Sequence, residues 1–92
     1  MKAIFKNTVI AESDKTVALE GNHYFPPSSV KEEYLEKSST TYTCPWKGDA
    51  EYYHVVVNGE RDEDAAWVYL NPKEEAKEIA GHFAFGNDIE IT

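Results

Sequence analysis

The sequence predicts a mainly β fold with two short helices, an α+β domain built as a small antiparallel barrel or sandwich. Its 92 residues fit one domain, residues 1–92. Short stretches rich in β-branched and aromatic residues alternate with turn signals along the whole chain. Most connections between these stretches are too short for parallel crossovers, so we expect antiparallel pairing.

The first third of the chain is predicted to hold three short strands and then an extended segment. The strands are Ala3–Phe5, Thr8–Ala11 and Thr16–Leu19, of which the first two flank a Lys6-Asn7 turn. Two prolines in Tyr24–Pro27 fix φ and remove two backbone donors. This segment therefore cannot be a central strand.

Two segments carry start signals for short helices. Ser29 and Glu32 match a capping box, which predicts a helix over Val30–Lys37. The Asn-Pro pair at 71–72 predicts a second helix, which runs to residue 80 and ends at a glycine cap.

The strongest strand signals lie in the second half of the chain. Thr40–Thr43 is β-rich by composition, and Ala50–Val57 follows after the loop Cys44–Asp49. The Asn58-Gly59 pair predicts a hairpin, in which residues 61–64 widen the loop. The remaining strands are Ala65–Leu70, followed by Phe83–Phe85 and Ile89–Ile91 as a final pair.

Charge and composition exclude several classes of partner. The net charge is −8 and there is no basic run, which argues against nucleic-acid binding and against an anionic membrane surface. No segment approaches the roughly 20 apolar residues of a membrane span, and the N-terminus lacks the apolar core of a signal peptide. Cys44 is the only cysteine, so no internal disulfide forms. We expect a cytoplasmic protein, monomeric or weakly dimeric, with a small-molecule ligand.

The Thr43–Gly48 loop gathers residue types that suit a binding or catalytic site. Cys44 lies three residues from Lys47, whose ammonium would favour the thiolate form of a nucleophile. The competing interpretation is a buried cysteine that packs as a small apolar group. Lys47 beside Gly48 suits an anionic ligand, and its competing interpretation is a surface lysine beside a turn glycine. The loop lacks the upstream glycine and the Ser or Thr of a Walker loop.

The other candidate groups form less specific patterns. His23 and His54, with Glu20 and Glu51, offer metal-ligating atoms, but no local spacing brings them together, so we predict no metal and no cofactor. The carboxylates at 60–64 fit a solvated hairpin loop. The aromatic residues serve either as a pocket lining or as the core of a domain short of aliphatic residues. They are Tyr24, Phe25, Trp46, Tyr52, Tyr53, Trp67 and Tyr69.

Several motifs, in order and spacing, resemble one known family. They are Tyr24-Phe25-Pro26, Thr43–Gly48, Ala66–Tyr69 before Pro72, and Phe83–Phe85. Over nearly its whole length the sequence is similar to the domain of unknown function 427 family, sometimes labelled nucleotidyltransferase-like. The resemblance implies a compact, mostly β domain found mainly in bacteria, and no settled activity. A nucleotidyltransferase would need paired acids for Mg²⁺ beside a phosphate-binding loop, and neither signature is present.

The resemblance also points to particular positions as a site. Carried over residue by residue, they are Glu20, Tyr24, Pro26, Cys44, Lys47, Gly48, Trp67 and Tyr69. The ligand-binding candidates among them are Glu20, Tyr24, Cys44, Lys47, Trp67 and Tyr69, and the catalytic candidates are Cys44 and Lys47. Pro27 stands where the family often has a basic residue, which removes one donor for an anion. Ser29 replaces a frequent Asp, and both residue types cap helices.

These observations favour a domain that binds a small anionic ligand or a partner where the Thr43–Gly48 loop meets Tyr24–Pro26. The alternative is an enzyme that uses Cys44 as nucleophile, or Lys47 as electrostatic stabiliser, on a nucleotide or acyl substrate. A third hypothesis is a purely structural or oligomerisation module.

Overall fold

Nine strands build the protein in the computed structural model, which describes residues 1–92. In chain order they are β1 (Lys2–Phe5), β2 (Thr8–Glu12), β3 (Val17–Leu19), β4 (Asn22–Tyr24), β5 (Leu35–Cys44), β6 (Gly48–Val57), β7 (Glu60–Val68), β8 (Phe83–Phe85) and β9 (Glu90–Ile91). They form three antiparallel sheets with the orders β2-β1-β9, β3-β4 and β5-β6-β7-β8. The mainly β, antiparallel prediction is confirmed. No sheet closes into a barrel, so that alternative is wrong.

Two tight hairpin turns follow directly from the sequence. Both have positive φ at their two central residues. The values are 51° for Lys6 and 61° for Asn7 in the first turn, and 51° for Asn58 and 80° for Gly59 in the second. This geometry suits the right-handed twist of the flanking strands, and Asn and Gly adopt it readily. In the second hairpin Val57 pairs directly with Glu60. Residues 61–64, predicted to widen this loop, therefore belong to β7 instead.

The first predicted helix, Val30–Lys37, does not form. Single 3₁₀ turns lie at Pro27–Ser29 and Glu32–Tyr34, and the chain then enters β5. The Ser29 hydroxyl donates to the carbonyl of Pro26 at 2.7 Å, so it does not cap a helix. The segment Val30–Lys37 also has too few apolar residues on one face to stabilise a helix, since most helical stability comes from packing of an apolar face.

The second predicted helix, over residues 72–80, is reduced to a 3₁₀ segment at Glu74–Ile79. The backbone departs from helical geometry at Ala76, with φ −122° and ψ 20°, and no side chain caps the first turn. A repeat of three residues places Ala76 and Ile79 on one face, and both are buried. Packing of these two side chains therefore decides the local conformation.

The core consists of two apolar clusters on opposite faces of the largest sheet. Ala66 pairs with Phe85 and belongs to one cluster, while the adjacent pair of Trp67 and Ala84 contacts the other. The sheet of β1 and β2 packs on the first face. The β3–β4 hairpin and the Glu74–Ile79 segment pack on the second. The second cluster includes three of the predicted site residues, Tyr24, Cys44 and Tyr69, and Trp67 packs against it.

The C-terminal strands also differ from expectation. β8 pairs with β7, whereas β9 pairs with β1, so the two do not form a hairpin. Leu70, predicted to lie in a strand, comes after the end of β7 and is exposed. None of the helical segments has the length and apolar character required to cross a membrane.

Burial of Ile79 holds the Glu74–Ile79 segment in place, so its loss should be costly. Ile79 is fully buried, and Ile79→Ala should lower the free energy of unfolding by about 2–5 kcal/mol in urea titrations. Leu70→Ala is the matched control, because Leu70 is 49% exposed, and its effect should stay below about 0.5 kcal/mol. Equal losses in the two variants would contradict this account.

Candidate functional site

Lys47 is a buried charge at the centre of the candidate site. It ends the loop between β5 and β6, and its side chain is 9% exposed. An ammonium at this depth needs a charged or hydrogen-bonding partner. Its Nζ donates a hydrogen bond to the carboxylate of Glu20 and forms an ion pair with it. The competing interpretation of Lys47 as a surface lysine is therefore wrong.

Aromatic rings flank the Lys47 ammonium. Its Nζ lies 5.5 Å from the ring centroid of Trp46 and 5.3 Å from that of Tyr69, within cation–π range. Beside them, the indole Nε1 of Trp67 donates to the hydroxyl of Tyr24 at 3.2 Å. The structure thus brings together residues predicted as a site from distant parts of the chain. They are Glu20, Tyr24, Cys44, Lys47, Trp67 and Tyr69.

Burial and pairing act in opposite directions on the pKa of Lys47. Burial lowers it, but the hydrogen bond with Glu20 and the nearby Tyr24 and Tyr69 raise it, and the net pKa lies above its ordinary value. The hydrogen bond from Lys47 lowers the pKa of Glu20. Both shifts favour the charged pair at neutral pH. Burial also raises the pKa of Tyr69, which keeps its hydroxyl protonated.

Glu20 reaches Lys47 from a tight turn at the surface. Glu20 and Gly21 have φ values of 53° and 80° and join Leu19 of β3 to Asn22 of β4. A two-residue turn of this kind matches the twist of a hairpin. The side chain of Glu20 is 47% exposed. A surface carboxylate therefore neutralises a buried ammonium.

The Lys47 loop is fixed to the segment that precedes the Glu74–Ile79 turn. The Lys73 amide donates to the carbonyl of Lys47 at 2.8 Å, and the Lys73 ammonium donates to the carbonyl of Pro45 at 2.7 Å. Gly48 has a φ of 109°, which side chains rarely tolerate. The backbone of residues 71–73 lies 3.5–3.6 Å from where a Cβ of Gly48 would stand. This backbone conformation explains the glycine after Lys47.

Cys44 lies at the end of β5 and packs in the second apolar cluster. It is buried with Tyr24, Ala50 and Tyr69 as neighbours in that cluster. No hydrogen bond joins its thiol to any of the histidines. These surroundings fit a small apolar group better than an activated nucleophile, which needs an electropositive and partly exposed position.

The surface around Lys47 is closed. The structure contains no pocket, and no three His, Cys, Asp or Glu side chains lie close enough together to hold a metal ion. The side chain bonded to the ammonium is that of Glu20, which is 47% exposed.

A second polar cluster, formed by Ser38, Thr40, His54 and Asp64, was missed by the sequence analysis. The pairing of β5 with β6 shifts between Lys37 and Thr41, and that of β6 with β7 shifts between Tyr53 and Val55. The Thr40 hydroxyl donates to the Asp64 carboxylate at 2.8 Å and so links the two irregular strands across β6. Asp64 has a φ of 54°, unusual within a strand. Hydrogen bonds from Ser38 and Thr40 lower its pKa.

This cluster has the residue types of a Ser-His-Asp triad without its geometry. The Asp64 amide donates to Nδ1 of His54 at 3.0 Å. A neutral His54 therefore holds its proton on Nε2 and has no free lone pair there to act as a base. The Asp64 carboxylate oxygen Oδ1 lies 3.7 Å from Nδ1 of His54, beyond hydrogen-bond distance. Register shifts of this kind leave no pattern that a single sequence reveals.

The Glu20–Lys47 pair predicts a pH-dependent contribution to stability. Since the pKa of Glu20 is lowered by folding, its contribution exists above about pH 4 and is lost as pH falls further. Since the pKa of Lys47 is raised, its contribution exists below about pH 10 and is lost as pH rises through the raised value. Glu20→Gln should therefore be less stable than wild type at neutral pH, and this gap should close in acid.

Urea titrations from neutral to acid pH measure this gap. Glu12→Gln is the matched control, because Glu12 is exposed and forms no ion pair. Its stability should follow that of wild type at every pH. A Glu20→Gln gap that stays unchanged in acid would show that charge pairing is not its cause.

Because Cys44 is buried, we expect its thiol to react slowly with alkylating reagents. Alkylation by iodoacetamide should be at least about tenfold slower in the folded protein than in urea, because the thiol is reached only through local opening. Cys44→Ser should cost about 1–3 kcal/mol, since its hydroxyl finds no partner in the apolar cluster. Equal alkylation rates in the folded and unfolded protein would instead support the nucleophile hypothesis.

Comparison with known proteins supports the resemblance carried by the sequence motifs. The family model described as a domain of unknown function (DUF427) matches residues 1–91. No curated protein matches the sequence. The match covers the whole of the fold described above, from β1 to the end of β9. The chain therefore belongs to the DUF427 family.

Proposed function

We propose that this protein binds a small anionic ligand, a carboxylate or a phosphate ester, at the ammonium of Lys47. One observation carries the proposal. The ammonium is buried on a loop whose backbone is bonded to Lys73, whereas the carboxylate that neutralises it belongs to Glu20, which is 47% exposed. The cation is therefore built into the protein, and its counter-ion is a side chain that water already reaches.

An anion from solution would take the position that the Glu20 carboxylate occupies. The exchange replaces one anion by another, so the buried ammonium has an anionic partner both before and after binding. The loop backbone holds Lys47 in place through Lys73, which reduces the entropy lost on binding. Trp46, which is 37% exposed, offers an apolar surface to the rest of the ligand. Binding at the ammonium requires the Glu20 carboxylate to give up its hydrogen bond with Lys47.

The enzymatic alternative on a nucleotide or acyl substrate stays a prediction. It requires Cys44 to meet the substrate, and burial of this thiol in an apolar cluster favours the binding role. We also propose that the protein is cytoplasmic, because a reducing compartment suits a single unpaired thiol.

Thermal unfolding tests the proposal with inorganic phosphate and acetate against sodium chloride at equal ionic strength. Phosphate or acetate should raise the melting temperature of wild type beyond the chloride value, by mass action on the folded state. Glu20→Gln removes the internal competitor. In wild type the anion binds only while Glu20 is away from Lys47. If that state is populated for about a tenth of the time, the apparent affinity of Glu20→Gln for the anion should be about tenfold higher than that of wild type.

Two lysine variants complete the experiment. Lys47→Met keeps the apolar stem and should abolish the anion-dependent shift. Lys77→Met is the matched control, since Lys77 is exposed and pairs with Glu74, and its shift should equal that of wild type. If neither anion stabilises wild type or Glu20→Gln beyond chloride, the proposed function fails.

A further inference from the structure

The buried charge at the candidate site is a single ammonium, that of Lys47. The rings of Trp46 and Tyr69 that flank it are uncharged, and burial raises the pKa of the Tyr69 hydroxyl, which keeps it neutral. Lys73 is the other cation bonded to this loop, but its ammonium is exposed and donates to a loop carbonyl. One monovalent cation is therefore matched by one monovalent anion, the Glu20 carboxylate.

The position that an incoming anion would take is occupied by a carboxylate in the structure. The pKa of Glu20 is lowered mainly by the hydrogen bond from Lys47, and the Trp46 side chain also lowers it. The indole N–H is the only donor of a tryptophan side chain, so it lies beside this carboxylate. An ammonium and an N–H thus face the two oxygens of a carboxylate, which accept hydrogen bonds from both.

Charge distinguishes a carboxylate from a phosphate ester at this position. A phosphate ester carries about 1.5 to 2 negative charges at pH 7. A single ammonium compensates one of them, and the remainder lies beside aromatic rings in a chain of net charge −8. A monocarboxylate brings one charge, as Glu20 does. The charge balance of the pair therefore favours a monocarboxylate.

Trp46 indicates the nature of the rest of the ligand. It is 37% exposed, and its ring centroid lies 5.5 Å from Nζ of Lys47. An aromatic ring that stacks on another or meets its edge gains more than apolar burial alone. Because the ammonium and an accessible ring lie side by side, the site suits a carboxylate attached by a short link to an aromatic group.

We propose that the ligand is an aromatic monocarboxylate, whose carboxylate binds Lys47 and whose ring packs on Trp46. This ligand class rests on the proposed anion-binding function and narrows it. The Glu20 carboxylate moves into solvent when the ligand carboxylate takes its place. Lys47 then selects for a single negative charge, and Trp46 selects for the ring.

Four probes test the ligand class by thermal unfolding at equal ionic strength: acetate, phenylacetate, phosphate and phenyl phosphate. Dissociation constants follow from the rise of Tm with probe concentration. Phenylacetate should bind at least about tenfold more tightly than acetate, and at least about fivefold more tightly than phenyl phosphate at neutral pH. Equal or tighter binding of phenyl phosphate would overturn the ligand class and leave the anion-binding function standing. If none of the four probes stabilises wild type or Glu20→Gln, both proposals fail.

A change of pH separates the effect of charge from that of shape. The second pKa of a phosphate ester is about 6, so phenyl phosphate is mainly a dianion at about pH 7.5 and a monoanion at about pH 5.5. Of the groups that face the ligand, Glu20 and Lys47 keep their charges over this range, because folding lowers the pKa of Glu20 and raises that of Lys47. The hydroxyls of Tyr24 and Tyr69 also face it.

Phenylacetate is the control for titration of the protein itself. The affinity for phenyl phosphate, divided by that for phenylacetate, should rise at least about fivefold between about pH 7.5 and about pH 5.5. A ratio that does not change would overturn selection by charge.

Two variants test the place of the ring. Trp46→Leu should reduce the advantage of phenylacetate over acetate to less than about twofold, because the ring contact is lost. Tyr42→Leu is the matched control, since Tyr42 is also an exposed ring, at 52%, but forms no cation–π contact with Lys47. Its preference for phenylacetate should equal that of wild type. An unchanged preference in Trp46→Leu would overturn the packing of the ligand ring on Trp46.

Discussion

The ion pair between Lys47 and Glu20 is the constraint on which one half of the structure depends. An unpaired ammonium at this depth would cost several kcal/mol, so the β3–β4 turn must stay over the loop that ends at Lys47. That loop is in turn bonded to Lys73, next to the segment that carries Ile79 into the core. Three segments far apart in sequence thus meet at one loop: the Lys47 side chain bonds Glu20, and the loop carbonyls accept hydrogen bonds from Lys73.

Stability alone is a poor reason for such an arrangement. An apolar side chain of similar volume at position 47 would pack among Trp46 and Tyr69 without any desolvation cost, and buried ion pairs are often replaced in this way without loss. Folding stability therefore does not explain why position 47 is a lysine. The proposed anion site does explain it, because an anion from solution can replace a counter-ion that already reaches solvent at little electrostatic cost.

The sequence predicted the places of most strands, because alternation and turn residues such as Asn58-Gly59 act locally. It missed β4, the first half of β5 and the start of β7. Both helices were wrong for a related reason. Ser29 and the Asn-Pro pair at 71–72 are local start signals, but neither is followed by enough apolar periodicity to keep a helix against competing strand and 3₁₀ contacts. The grouping of Glu20 with Lys47 came from family resemblance, since no spacing rule joins residues so far apart. The Thr40–Asp64 link depends on register shifts in two strands and had no sequence signal.

The position of the Lys47 ammonium is set from two sides of its loop. On one side, Cys44 ends β5 in the same apolar cluster as Tyr69, whose ring centroid lies 5.3 Å from the ammonium. On the other side, the loop backbone accepts two hydrogen bonds from Lys73. Core packing and backbone bonding therefore place the cation, and Glu20, at 47% exposed, is the member of the pair that reaches solvent.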